Sequence, residues 1–226
     1  NSDMKREFFP DHPRTSFIPI GIDIEEYSPK NQFDWPLDVP KYDESDFVFV
    51  SIANLVPVKG IEIAIEALKR CQDSRFKYLI VGNNQHDYGD KLKDLVDSYG
   101  LNEQVHFIDK VMDVRPYLAC GDVFIIPTKN EGRKEGQPIA PVEAMASGLI
   151  VTGSRIPGVV DILEDFQDLI FDSGDIEGLK EIMLKLFNLS EEERKTISQK
   201  MREKVIRDYD KKVFVDRHLE LYRSLI

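Results

Sequence analysis

Apolar residues along this chain fall into short dense runs, separated by stretches in which they recur every three or four positions. The runs lie at 47–53, 78–81, 105–108, 123–126, 149–152 and 169–171. Several are rich in Val, Ile and Phe with little alternation, as in strands covered on both faces. Between them, Ile61, Ile65 and Leu68 recur at helical spacing, as do Leu92, Leu95 and Val96, and then Leu179, Ile182, Met183, Leu186 and Phe187. Strands alternating with helices predict right-handed crossovers and a parallel sheet. The expected fold is α/β, a Rossmann-like doubly wound parallel sheet. Helices follow it, opened by a capping box of Ser190 and Glu193. Val213, Leu219, Leu221 and Tyr222 are expected to dock the last of them.

The first forty residues read differently. Six of the twelve prolines lie there, and only Phe17-Ile18-Pro19-Ile20 could pair as a strand. So punctuated a segment builds no core of its own and reads as a linker or docking arm. The organisation expected is an arm over 1–45, a sheet domain over 46–189 and helices over 190–226.

Composition narrows the function. The 226 residues are 42% hydrophobic and 31% charged, which excludes disordered and collagen-like classes. Forty-one Asp and Glu against 30 Lys and Arg give a net charge of −11. That surface repels phosphate backbones and anionic lipid, so nucleic acid and membrane are poor partners. Any anionic ligand must be held by a local cluster of donors. Cys71 and Cys120 lack metal-ligand spacing and read as reduced core thiols, pointing to a reducing, cytoplasmic compartment. No run approaches the ~18 apolar residues of a membrane span.

In an open parallel sheet the ligand sits beyond the carboxyl ends of the strands. Two stretches occupy that edge. The first, EGRKEGQPIAPVEAMASG at 131–148, follows the run at 123–126. Its pattern predicts a helix over 139–147, with Pro138 at the first turn and Gly148 as the stop. The N–H groups of that start suit a phosphate, and Arg133 and Lys134 stand close by in the loop. Glu143 lies among Pro141, Val142, Ala144, Met145 and Ala146. A carboxylate so placed needs hydrogen-bond donors, either a ribose diol or a protein group such as a backbone N–H or an Arg. Glu135, eight positions earlier, meets the far end of a ligand or is a solvated charge. The second stretch, SIANLVPVKG at 51–60, carries Lys59, which is either a point charge for a phosphate or a solvated surface residue.

Glu135-Gly-Gln-Pro138 followed by Glu143-Ala-Met-Ala-Ser-Gly148 resembles the paired-glutamate motif of retaining GT-B glycosyltransferases, the group-one enzymes of glycosyltransferase family four. The likeness extends to Ile18-Pro19-Ile20-Gly21-Ile22-Asp23, similar to the hinge before the donor domain. It extends also to Leu55-Val56-Pro57-Val58-Lys59-Gly60, similar to the first donor-domain loop. Val105-His106-Phe107-Ile108 with Asp113-Val114 resembles the base-side strand and loop.

The resemblance implies one half of a GT-B fold and transfer of a hexosyl group from a UDP- or GDP-sugar to a glycan, lipid or small-molecule hydroxyl, as in polysaccharide biosynthesis. By it, Lys59 binds the donor diphosphate and Glu135 accepts from sugar hydroxyls. Backbone N–H groups of Gly136, Gln137, Ile139 and Ala140 lie near sugar and phosphates, Glu143 holds the ribose, and Lys110-Val111 lines the base pocket. It implies no cofactor and no metal. Asn54 stands where the family usually has an Arg on the diphosphate, and Arg133 or Lys134 is expected to replace that charge. Family members also carry a preceding acceptor domain, which nothing before Asp46 could form, so the chain alone is expected to bind nucleotide and transfer nothing. Any peripheral membrane contact would run through that domain. The other readings are a GT-B nucleotide-sugar epimerase, a non-catalytic nucleotide-binding module and a phosphorylase-like enzyme, the last without a supporting cofactor motif.

Overall fold

The structure, a computed structural model, describes residues 16–29, 32–131 and 136–225. Six parallel strands form one sheet: β1 (Phe47–Ile52), β2 (Phe76–Val81), β3 (Val105–Ile108), β4 (Val123–Ile126), β5 (Ile150–Ser154) and β6 (Ile170–Phe171). Their order is β3-β2-β1-β4-β5-β6, so the chain reverses its direction of travel across the sheet between β3 and β4. β1 and β4 are therefore neighbours whose following loops diverge, which opens a crevice at their carboxyl ends. Register is set by pairs such as Phe49↔Tyr78 and Phe49↔Val123.

Eight helices flank the sheet among the described residues: α1 (Ile61–Cys71), α2 (Asp87–Tyr99), α3 (Arg115–Leu118), α4 (Ala140–Ala146), α5 (Pro157–Ile162), α6 (Ile176–Asn188), α7 (Glu191–Tyr209) and α8 (Lys211–Arg223). β1 is buried along almost its whole length, as the unbroken apolar run requires. Phe47, Phe49, Phe76 and Phe187 pack with ring centroids 4.9–6.2 Å apart, pinning α6 to the strand starts. The capping box opening α7 is formed: Ser190 Oγ accepts from Glu193 N–H at 3.2 Å, and Glu193 Oε2 accepts from Ser190 N–H at 2.8 Å.

Three expectations need correcting. Pro138 lies before α4, which runs Ala140–Ala146 with Ile139 as its N-cap, and Pro141 is the proline of the first turn. Of the residues expected to dock α8, Leu219 and Tyr222 are exposed and Val213 and Leu221 are half-buried, and no residue of the helix is buried. Cys71 is only half-buried, whereas Cys120 is buried; both thiols are free, and burial pushes them up to about 12 and about 11.

The arm is laid onto the domain. Ile22, Ile24 and Val39 are buried in the common core. Ile22 N–H donates to Tyr209 O at 2.8 Å, and Lys211 N–H donates to Ile22 O at 2.9 Å, so the arm is stitched to the α7–α8 junction. Among the described residues no helix is long and apolar enough to cross a membrane.

Candidate active site

Two adjoining hollows lie at the carboxyl edge of the sheet. The first, of about 270 Å³, opens between the ends of β1 and β4 and is lined by Ser51, Lys59, Thr128, Gln137, Ile139 and Ala140, among others. The second, of about 410 Å³, lies over the ends of β1–β3 and includes Asn54, Gly82, Lys110, Val111 and Val114. They share Ile52 and Ala53. The topology thus makes one crevice of two compartments where the strand order reverses.

Its floor is hydrogen-bonded. Ser51 Oγ donates to Ile125 O at 2.6 Å and accepts from the Tyr78 hydroxyl at 2.7 Å, joining β1 to strands on both sides. Burial holds the Tyr78 hydroxyl well above the ordinary phenol range, so it remains a donor.

Lys59 reaches the crevice through a 3-10 turn, Pro57–Lys59. Lys129 N–H donates to Val58 O at 2.8 Å and so ties this turn to the loop after β4. Gly60 follows with φ +65°, and a Cβ there would lie 2.2 Å from Pro127 O. Only glycine meets both conditions. Beyond it α1 begins, carrying the stripe Ile61, Ile65 and Leu68 into the core.

On the far wall, the loop before α4 brings Gln137, Ile139 and Ala140 to the first hollow. Of the groups at the start of α4, Pro141 has no N–H and Val142 N–H donates to Ile139 O at 2.8 Å, so the N–H groups of Ile139 and Ala140 are the ones without a helical carbonyl behind them. Gln137 is oriented by the arm, because Ile20 N–H donates to its Oε1 at 2.9 Å. Gly136 is exposed just before it. Arg133, Lys134 and Glu135 lie outside the described residues.

Glu143 sits one turn into α4 and lines neither hollow. Its Oε1 accepts from the Tyr27 hydroxyl at 2.7 Å, across 116 positions of sequence. The donor that a half-buried carboxylate requires is thus a protein group, a tyrosine of the arm, in place of the backbone N–H or Arg weighed from the sequence. Burial raises the Glu143 carboxyl above the usual range, and the Tyr27 hydroxyl pulls it partly back.

The sign of this coupling can be checked. Tyr27→Phe removes the one group that lowers the Glu143 pKa, so its carboxyl should titrate at higher pH in the variant, followed by the side-chain carboxyl resonance. An unchanged or lower midpoint would refute the coupling. A carboxyl raised in the folded state gives stability that is present below its unfolded pKa and lost as pH rises through the folded value. Ionised Glu143 therefore costs the unliganded chain some stability at neutral pH, and the variant should enlarge that cost.

Sequence reasoning missed Tyr27 and Thr128. Tyr27 falls in the proline-rich arm, which offers no periodic pattern to mark it. Thr128 is 1% exposed, and its Oγ1 has no hydrogen-bond partner among the described residues. Its only sequence signal is a polar residue two positions after an apolar strand, at the ligand edge. Among the described residues no cluster of His, Cys, Asp or Glu could hold a metal ion.

Comparison with known proteins agrees with this architecture. WcaL of Escherichia coli K12, named for colanic acid biosynthesis, is 28% identical over 201 residues, covering 86% of this chain and 47% of that protein. AmsK of Erwinia amylovora, named an amylovoran biosynthesis glycosyltransferase, is 33% identical over 147 residues, covering 61% of this chain and 35% of its own. The chain spans about half or less of these curated relatives. Among solved structures, HepE of Anabaena in complex with UDP superposes with a TM-score of 0.79 at 20% identity, covering 93% of this chain and 57% of that one. A glycosyltransferase from Rickettsia africae gives 0.79 at 18% identity, covering 92% and 56%. These likenesses show the GT-B type of fold. The model of the group 1 glycosyl transferases matches residues 37–204, about three quarters of the sequence, and the chain belongs to that family.

Proposed function

We propose that this chain is the nucleotide-sugar-binding half of a retaining glycosyltransferase, taking a hexosyl group from a UDP- or GDP-sugar to a hydroxyl acceptor. One observation carries the reading. Lys59 and the loop before α4 face each other across a crevice at the topological switch point, with a second compartment beside Lys110 and Val111. A cation and unpaired N–H groups on opposite walls suit a diphosphate, and the neighbouring compartment suits the nucleoside.

In this reading Lys59 and the N–H groups of Ile139 and Ala140 stabilise charge developing on the leaving diphosphate, and Gly136 and Gln137 border the sugar. Glu143 accepts from the ribose through Oε2 while Tyr27 holds Oε1. Asn54 and Val111 flank the nucleoside side. Glu135 takes sugar hydroxyls, and Arg133 or Lys134 supplies the cation that Asn54 does not. The chemistry invokes no metal. UDP in the HepE complex and the relatives' names in polysaccharide synthesis support this assignment.

The acceptor site belongs, on this view, to a partner domain outside the 226 residues. Incubated with UDP-glucose or GDP-mannose and a polyprenyl-phosphate-linked or free glycan, the chain alone should bind donor and form no new glycosidic bond. Robust transfer by this chain would overturn the half-enzyme assignment, and sugar isomerisation without acceptor would favour the epimerase.

A further inference from the structure

Three buried side-chain polar atoms have no hydrogen-bond partner among the described residues: Tyr42 Oη, Thr128 Oγ1 and Gln137 Nε2. Tyr42 belongs to an aromatic group of the arm, packed against Trp35 and His106. Thr128 and Gln137, although nine positions apart, line the same hollow between β1 and β4. An unmade hydrogen bond on a buried donor is costly, so native folds rarely leave one unless a ligand or water completes it. Two such atoms in the walls of one cleft mark a place where ligand oxygen belongs.

The identity of the free atom on Gln137 is fixed by its neighbour. Ile20 N–H can only donate, so the amide oxygen faces the arm and the NH2 group is the end left without a partner among the described residues. Thr128 is held as firmly from behind, since its carbonyl accepts from the buried Ser154 hydroxyl. One wall therefore presents a pure donor, the other a hydroxyl that both donates and accepts. A sugar hydroxyl matches this pair: it accepts from Gln137 Nε2 and donates to, or accepts from, Thr128 Oγ1. A phosphoryl oxygen has the cation Lys59 on the same hollow for its charge and gains less from an uncharged amide.

We infer that Thr128 and Gln137 form a sugar-reading subsite, binding hydroxyls of the transferred sugar through Oγ1 and Nε2. This rests on the donor-site reading above and deepens it, because the family resemblance assigned the sugar to backbone N–H groups and a glutamate. The pair makes Thr128 a specificity residue absent from the sequence reading, and gives the Gln137 side chain a role beyond its backbone. Sugars that differ in the hydroxyl it meets should be separated by about ten- to thirtyfold, the scale of a site left with a buried unpaired group.

The test compares each nucleotide sugar with its parent nucleotide on the 226-residue chain. UDP and UDP-glucose, and GDP and GDP-mannose, are titrated by calorimetry against the unmodified chain, Thr128→Val, Thr128→Ser and Gln137→Met. Thr128→Val and Gln137→Met should each weaken the nucleotide sugar roughly fivefold to tenfold and leave the parent nucleotide unchanged. Thr128→Ser, which keeps the hydroxyl, should bind as the unmodified chain does. Thr128→Val removes an unsatisfied buried hydroxyl, so its Tm without ligand should equal or exceed that of the unmodified chain, which separates the binding loss from misfolding.

Normal nucleotide-sugar affinity in both Thr128→Val and Gln137→Met would overturn this inference while leaving the donor site standing. Equal losses for nucleotide and nucleotide sugar would overturn it too, by placing the pair on the diphosphate. No nucleotide or nucleotide-sugar binding by the unmodified chain would overturn the donor-site reading itself, and this inference with it.

Discussion

Lys59→Ala should weaken nucleoside diphosphate binding by roughly ten- to hundredfold, the scale of one charge-assisted hydrogen bond of about 1.5–3 kcal/mol. The effect is large because the rest of the molecule opposes the ligand. With a net charge of −11, the general field repels a diphosphate, and a local cation must outweigh it. Lys59 is the lysine that lines the hollow between β1 and β4 among the described residues. Its approach is rigid: the Pro57–Lys59 turn is fixed on one side by the bond from Lys129 to Val58 and on the other by Gly60. The loss should be specific to phosphate. Uridine or guanosine should bind the variant as they bind the unmodified chain, and the salt dependence of diphosphate binding should flatten as one screened contact disappears. Unchanged diphosphate affinity in Lys59→Ala would remove the residue from the site.

Gly60→Ala should destabilise the fold by about 2–4 kcal/mol, lowering Tm by roughly 5–15 °C. Two independent costs combine. The residue sits at φ +65°, where an L side chain is strained, and its added Cβ would lie 2.2 Å from Pro127 O, a backbone atom that cannot rotate away. Relief requires the turn to part from the end of β4, and both Lys59 and Pro127 line the crevice. Stability and diphosphate affinity should therefore fall together in this variant, whereas Lys59→Ala should leave the unfolding free energy within about 1 kcal/mol of normal. A Gly60→Ala chain with unaltered Tm in thermal unfolding would show that the turn has room that its geometry denies.

The contrast between these two neighbours shows what the sequence made legible. All six strands were readable, because buried parallel strands are dense apolar runs; β2, β3 and β6 end where Gly82, Asp109 and Asp172 interrupt them, whereas β5 runs on through Gly153 to Ser154, past the expected end at 152. β2 starts two residues early, at Phe76, because Phe76-Lys77 alternates: Lys77 turns to Asp46, 3.7 Å away, and breaks the apolar pattern. The crevice followed from topology alone, since its loops had to lie beyond the strand ends. Contacts at long sequence separation left no such trace. The Gly60–Pro127 approach, the Tyr27–Glu143 hydrogen bond and the Ile20–Gln137 bond each join segments that no local pattern connects. For Glu143, burial on a short helix announced the need for a donor, but could not say which group would provide it.

The last helix marks another limit. Helical spacing identified a stripe on α8, yet spacing says only that residues share a face. It does not say that a neighbour covers that face, and of that stripe Leu219 and Tyr222 remain exposed while Val213 and Leu221 are half-buried. The short α3 and α5 were also absent from the reading, since four to six residues are too few to display a helical period.

The central claim is that a nucleoside diphosphate binds at this crevice, with Glu143, one turn along α4 from the lining residue Ala140, accepting from its ribose. Calorimetric titration of the chain with UDP, GDP, ADP and CMP, repeated with Glu143→Ala, tests it most directly. Saturable binding of at least one nucleoside diphosphate, weakened about tenfold in the variant, is the predicted result. Absence of binding for all four nucleotides, or identical affinity with and without the Glu143 carboxylate, would contradict it.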